Sequence, residues 1–407
     1  LYGTIMKMGV FYMKTILKHG TVITPLRVIQ NGGLVIENGI IEKVFEGNAP
    51  EVEGECNVVD VKGRYIAPGF VDIHTHGAGG YDYMDGTIEA IEAASAAHME
   101  HGSTTIVPTT LTSTMDELFA FFDCYREAKK QMKGGPNLLG LHLEGPYFSM
   151  EQKGAQDPRY IKNPDRDEYL KILDSSDDIV RWTVAPELEG AMEMGRELTD
   201  RGILCSIGHS NAIYEEVLEA FENGYTHVTH LYSGMSMVRR INAYRYSGVV
   251  ESSYLIDEMT VEIIADGAHL PASLLKLIYK IKGADSICLV TDSMRAAGMP
   301  EGEYRLGSLE DGQIVVVEDG VAKLQDRSAF AGSVATADRL VRTMVEIAGV
   351  PIEEAVKMMT LTPARIMGID DKKGSLVASK DADVVVFDGN IDIGLVIVGG
   401  NIEINKI

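Results

Sequence analysis

His74 and His76 stand one residue apart in the run Gly-Phe-Val-Asp-Ile-His-Thr-His at 69–76. In a strand, positions i and i+2 share a face, so two imidazoles are aimed at one point. Glu144, His209, His230 and Asp292 each stand at the downstream end of a separate short apolar run. Neutral imidazole nitrogens and carboxylate oxygens are ligands for zinc, iron and other divalent metals, and a catalytic site leaves a position open for water. The residues allow one or two ions per subunit. His74 and His76 suit one, His209 and His230 a second, with Glu144 as a bridge and Asp292 beside the water.

A bound divalent ion lowers the pKa of its water towards about 7 and stabilises the oxyanion formed when a carbonyl is attacked. An amide nitrogen leaving as an anion is too basic, so a carboxylate must carry the proton from water to nitrogen. Asp292, alone after Cys288-Leu289-Val290-Thr291, is the expected carrier. The set implies a metal-dependent hydrolase. His19, His98 and His101 lie away from strand ends and read as packed or surface side chains. His142 shares a face with Glu144 and either supports the ligands or is a satisfied core histidine. His227, three residues before His230, reads as structural and facing the other way. Glu187 reads as a loop brace, and Asp72 as a deeper group on the ligand face.

Eight apolar, β-branched runs must position these residues: Ile66–Ile73, Thr104–Pro108, Leu138–Leu143, Val180–Ala185, Ile203–Gly208, Thr226–Thr229, Thr260–Ala265 and Ser286–Thr291. They alternate with longer amphipathic segments such as Thr87–His101, the period of βα units around a parallel sheet. Eight units predict a (β/α)8 barrel of TIM type over 65–370, whose strand ends converge on one mouth. Segments 14–64 and 371–407 carry short β-rich pieces, with Asn-Gly at 31–32 and 38–39 as hairpin signals, and are expected to form one small β-sandwich domain. Residues 1–12 break this pattern, read as an extension, and are left out of the fold reading.

With 407 residues and 45% hydrophobic content, the chain can bury a large core. No apolar run approaches the roughly 18 residues of a membrane span, and no secretory signal is visible, so a cytoplasmic protein is expected. Four scattered cysteines without a Cys-x-x-Cys pair suggest neither disulfides nor a zinc ribbon. A net charge of −23 argues against nucleic acid. It does not exclude a small anion, because screening over about 8 Å leaves affinity to local arginines.

Six stretches resemble the amidohydrolase superfamily and, within it, the N-acetylglucosamine-6-phosphate deacetylases. They are Pro68-Gly69-Phe70-Val71-Asp72-Ile73-His74-Thr75-His76, Leu141-His142-Leu143-Glu144-Gly145-Pro146-Tyr147, Gly208-His209-Ser210-Asn211-Ala212, Thr229-His230-Leu231-Tyr232, Ile264-Ala265-Asp266-Gly267-Ala268-His269 and Leu289-Val290-Thr291-Asp292. The resemblance implies hydrolysis of the N-acetyl group of an amino-sugar 6-phosphate to acetate and the free amine. It implies that Glu144, His209 and His230 are metal ligands, that Asp292 is the acid/base, and that the His74–His76 pair favours two ions. It also implies a homodimer in which a loop after the sixth strand enters the neighbouring subunit's site.

Family substrate contacts fall on Ala155-Gln156, Ser233-Gly234, an arginine near Arg239-Arg240, Asp266-Gly267-Ala268-His269 and Phe330-Ala331-Gly332. Two of these depart from the family pattern. Gln156 replaces a histidine that helps polarise the acetyl carbonyl, and glutamine has no titratable proton. Ser233-Gly234 replaces Asn-Ala near the sugar. Arg239, Arg240, Arg245 and Arg295 are candidate phosphate ligands, since guanidinium binds phosphate through paired hydrogen bonds. The departures leave open another N-acetyl hexosamine phosphate, an N-acyl amino acid or a cyclic amide. A non-catalytic sugar-phosphate binder would show an eroded ligand set, whereas this one is intact.

Overall fold

The computed structural model describes residues 14–52, 54–309 and 312–407; residues 1–12 lie outside these. The chain is an α/β protein built on a curled parallel sheet. Its strands form two hydrogen-bonded stretches. One joins Phe70–Thr75, Ser103–Pro108 and Asn137–Leu138. The other runs through Leu141–Glu144, Ile179–Val184, Leu204–Ile207, Tyr225–Val228, Thr260–Ile263 and Ile287–Leu289. A parallel bridge between Thr109 and His142 links the stretches on one side. On the other, the Asp292 N–H donates to the His74 carbonyl at 2.9 Å.

Nearly every residue of these strands is buried, as expected when a parallel sheet is covered on both faces. The expected first helix forms as Ile88–Glu100, with Thr87 capping its start through the Ala90 N–H. Its inward residues Ile91, Ala94 and His98 are buried. No helix among the described residues is long and apolar enough to cross a membrane.

The apolar run Ile66–Ile73 is two strands rather than one. Tyr65–Pro68 pairs with the small sheet, the chain turns at Gly69, and Phe70–Thr75 enters the parallel sheet. A side chain at Gly69 would collide with Thr104. Asn38-Gly39 makes the expected hairpin turn, but Asn31-Gly32 lies within the strand Val28–Glu37, where the register shifts. A Cβ at Gly32 would lie 2.6 Å from the Phe45 carbonyl, so this glycine serves close backbone approach, not a turn. Two unpredicted pieces also appear: the hairpin Arg239–Ile241 with Tyr244–Tyr246, and an antiparallel sheet of Gly302–Leu306, Gln313–Glu318 and Val321–Leu324.

The two ends of the chain meet in one eight-stranded sheet that places Tyr65–Pro68 between Lys14–Ile23 and Val384–Phe387. The continuous run Val384-Val385-Val386-Phe387 is buried on both faces. Val384 and Val386 pack with Leu17, Leu34 and Ile66, whereas Val385 and Phe387 face the main core. Phe387 stacks on Tyr65 at 5.5 Å and meets Phe70 at 6.4 Å, which ties the small sheet to the strand bearing His74. Phe387→Ala is expected to lower stability by ~3–5 kcal/mol. Fluorescence of Trp182, the single tryptophan, would report a lower urea midpoint; an unchanged midpoint would show that this contact does not couple the two parts.

Candidate metal centre

The six side chains named from strand ends meet in one buried mouth. Ligand atoms of His74, His76 and Asp292 lie within 4.8 Å of one another, as do those of Glu144, His209 and His230. Glu144 stands between the groups. Its Oε1 lies 3.2 Å from His209 Nε2 and 3.0 Å from His230 Nε2, while its Oε2 lies 3.3 Å from His76 Nε2. Asp292 Oδ1 lies 3.1 Å from His76 Nε2 and 3.4 Å from His74 Nε2.

Strand ends explain the convergence. Glu144 closes its strand, while His209, His230 and Asp292 follow the last residues of theirs. Those three carry left-handed backbone, with φ of 48°, 27° and 46°. A residue with a Cβ adopts this at about 1–3 kcal/mol, and such strain gathers where a site must be shaped.

Hydrogen bonds fix the imidazoles. His74 Nδ1 lies 2.6 Å from Glu262 Oε1. An ionised carboxylate only accepts, so a proton sits on Nδ1 and Nε2 is the atom left facing the mouth. His209 Nδ1 is held in the same way by the Gln152 carbonyl at 2.9 Å. Gly234 leaves room for that bond: its φ is +57°, and a Cβ there would come within 2.9 Å of His209 Nδ1.

These Nε2 atoms therefore face carboxylate oxygens, an arrangement that calls for positive charge between them, as a proton or as a bound cation. His74 Nε2, His76 Nδ1 and His230 Nδ1 are buried without any hydrogen bond. Four imidazoles and two carboxylates in this arrangement fit a divalent transition cation. Protons feel the same field. Burial alone would lower the His76 pKa, but hydrogen bonds to Asp292 and Glu144 carry it up to about 9. Burial likewise opposes ionisation of Glu144, yet the imidazoles of His74, His209 and His230 hold it well below the usual carboxylate range.

Glu262 and Arg181 escaped the sequence reading, although both are fully buried beneath this mouth. Glu262 accepts from Arg181 Nη1 at 2.6 Å, from the His230 N–H at 2.9 Å and from His74. Arg181 also donates to Ser206, Thr229 and the Ile73 carbonyl. The available signal was a lone charge inside an otherwise apolar strand, in Thr260–Ile263 and Ile179–Val184.

His227 is structural, as read, but does not face away from the site: its Nε2 lies 3.5 Å from Glu262. Counting three residues to His230 failed because the strand ends at Val228 and the backbone turns left-handed. His142 is a satisfied interior histidine, bonded to Thr183 and edge-on to His74. Asp72 lies deeper and accepts two hydrogen bonds from Thr291; burial pushes its pKa up to about 6. Glu187 braces the loop after His209 through Ser210 and the Asn211 N–H.

Residues 65–406 match the model of the amidohydrolase family. The chain belongs to the amidohydrolase family. It is 33% identical over 406 residues to an N-acetylglucosamine-6-phosphate deacetylase of Lysinibacillus sphaericus, covering 97% of this chain and 99% of that relative. It is 32% identical to an N-acetylgalactosamine-6-phosphate deacetylase of Escherichia coli O157:H7, covering 92% and 98%. Among solved structures, the N-acetylglucosamine-6-phosphate deacetylase of Pasteurella multocida superposes with a TM-score of 0.89 at 28% identity, covering 97% of this chain and all of that one. Amidohydrolases are metal-dependent, and this one carries two residue groups able to hold metal.

Above these residues opens a cleft of about 870 Å3, including its open mouth, sized for a small molecule. Of the expected substrate contacts, Ala155, Gln156, Ser233 and Gly234 line it on one side. His269, Phe330 and Gly332 line it as well. Asp266 sits behind His269, accepting from its Nδ1 at 2.8 Å, and Phe330 packs on the same ring at 4.3 Å. Ala331 faces the small core of the inserted sheet instead.

Arg239 and Arg240 do not line the cleft. Arg239 is tied to the carbonyl and side chain of Asn211, and Arg240 is exposed on the hairpin. Arg295 is not a free cation: it is 3% exposed, paired with Asp85 and bonded to the Arg305 and Gly307 carbonyls. Its role is to hold the loop after Asp292. Glu262→Gln, which sets an amide N–H against His74 Nδ1, is expected to weaken Zn2+ binding by roughly 10–100-fold. Competition with a coloured chelator measures this, and undiminished affinity would remove Glu262 from the support of His74.

Proposed function

We propose that this chain is a metal-dependent hydrolase that removes the N-acetyl group of an amino-sugar 6-phosphate, converting N-acetylglucosamine 6-phosphate and water to glucosamine 6-phosphate and acetate. The observation that carries this reading is the buried meeting of His74, His76 and Asp292 with Glu144, His209 and His230 below a small-molecule cleft. Relatives of nearly the full length bear the name of that activity.

His74, His76, Glu144, His209 and His230 would hold one or two divalent ions, zinc or iron. When bound, such an ion acidifies water and stabilises negative charge growing on the carbonyl oxygen. Asp292 does the proton work. Despite burial, His74 and His76 keep its pKa below the usual value, so it is an unprotonated acceptor at neutral pH. It takes a proton from the attacking water and returns it to the amide nitrogen as the C–N bond breaks. His269, with Nδ1 anchored on Asp266, turns its other nitrogen towards the sugar. Burial at the cleft floor limits bulk water around these steps.

The cleft lining contains no lysine or arginine among the described residues. A homodimer would supply the phosphate ligand, with the hairpin of one subunit carrying Arg240 and Arg245 into the cleft of the other. The hairpin and the two residues before it expose Tyr244, Met237 and Val238, with Tyr244 74% exposed, as an apolar surface awaiting a partner. The parallel strands would close as a (β/α)8 TIM-type barrel over about 65–370, flanked by a β-sandwich from 14–64 and 371–407, in a cytoplasmic protein.

A second reading, the same chemistry on N-acetylgalactosamine 6-phosphate, is favoured by Ser233-Gly234 in the cleft and by the Escherichia coli relative. Acetate release by Zn2+-loaded protein from both phosphosugars and from unphosphorylated N-acetylglucosamine separates these readings. No turnover of any of them would overturn the proposal. Asp292→Asn is expected to lower kcat by orders of magnitude while a cation remains at Glu144, His209 and His230; near-normal kcat would dismiss Asp292 as proton carrier. Arg240→Ala is expected to raise KM for phosphosugar, corresponding to about 1.5–3 kcal/mol, with little change in kcat. An unchanged KM would transfer the role to Arg245.

A further inference from the structure

We infer that Gln156 is the positioning residue that holds Glu144 across both cation positions, so that the chain takes up two divalent ions. This rests on the metal-centre reading above. Glu144 serves both groups only at one setting of its carboxylate plane, with Oε1 towards His209 and His230 and Oε2 towards His76. A glutamate does not fix that plane by itself, because rotation about its last bond has broad minima. Gln156 supplies the missing restraint: its Nε2 donates to Glu144 Oε2 at 2.8 Å.

The Gln156 amide cannot turn over in place. Its Oε1 accepts from the Thr112 N–H at 3.0 Å. A flipped amide would set oxygen against the Glu144 carboxylate and an NH2 group against a backbone N–H, with two bonds lost and two repulsions gained. The side chain is 5% exposed. Its loop is closed by a bond from the Gln156 N–H to the Lys153 carbonyl at 2.9 Å, and by Gln313, which donates to the Ala155 carbonyl at 2.6 Å. The restraint on Glu144 is therefore anchored to two separate backbone segments.

The two cation positions do not depend equally on this restraint. His74 and His76 have a carboxylate of their own in Asp292, whereas His209 and His230 have only Glu144. A Glu144 released from Gln156 would turn towards His209 and His230, whose group holds no other carboxylate. The position at His74 and His76 then loses one of its two carboxylates.

The test is equilibrium dialysis of chelator-stripped protein against Zn2+, with bound metal counted by mass spectrometry. Unaltered protein is expected to take up two Zn2+ per chain. Gln156→Leu fills the space without a donor, and Gln156→Asn is one methylene too short to reach both Glu144 and Thr112. Each is expected to keep one tight Zn2+ while the second binds about tenfold or more weakly, with Trp182 fluorescence unchanged as the sign of an intact fold. A general loss of structure would weaken both sites together. Two Zn2+ with unaltered affinities in both variants would overturn the role of Gln156 and leave the deacetylase reading standing. No uptake by the unaltered protein would overturn both.

Discussion

Two buried carboxylates cannot both stay ionised in a dry space unless positive charge stands between them. Glu144 and Asp292 are in that situation, 2% and 6% exposed and both within reach of His76 Nε2. The Nδ1–H groups of His74 and His209 donate to Glu262 and to the Gln152 carbonyl, which leaves Nε2 of each ring facing the mouth. A divalent cation relieves this without rearranging the protein. The ordering of the sheet, the turns at its strand ends and the support behind each imidazole all follow from the need to hold that unbalanced arrangement still.

The support is itself electrostatic. Glu262 would be untenable in the interior without Arg181, and Arg181 would be equally so without Glu262, Ser206 and Thr229. Breaking such a pair by removing one member typically costs about 3–5 kcal/mol, because the survivor stays buried and charged. The inner layer of the parallel sheet is thus less an oil-like filling than a polar scaffold. It fixes His74 by its side chain and His230 by its backbone through one carboxylate.

The six residues that meet in the mouth were legible because strand ends converge by geometry, and polar residues that follow apolar runs stand out against them. The meeting of the two chain ends was legible from matching β-rich composition. Glu262 and Arg181 were not, since each sits inside a run that reads as core, and nothing local reveals that they face each other across 81 residues. Arg295 misled for the converse reason: its place after Asp292 suggests an anion ligand, but its donors are taken by Asp85 and by carbonyls on either side. The division at Gly69 was hidden because both strands it separates are apolar. Side-chain partners, rather than element types, were what one sequence could not supply.

The shared sheet also sets an order of events during synthesis. Tyr65–Pro68 waits for Val384–Phe387 on one edge, and that strand is made after every strand of the parallel sheet. While the ribosome has yet to translate Val384–Phe387, the strands that carry the residues of the mouth have already been made, yet this edge and the Ile66 side chain remain bare. An open apolar edge is a template for pairing with other chains. A message cut short by a premature stop ahead of Val384 would thus yield a nascent product with all six residues of the mouth and an uncovered flank, handed to chaperones or proteases before its site could matter.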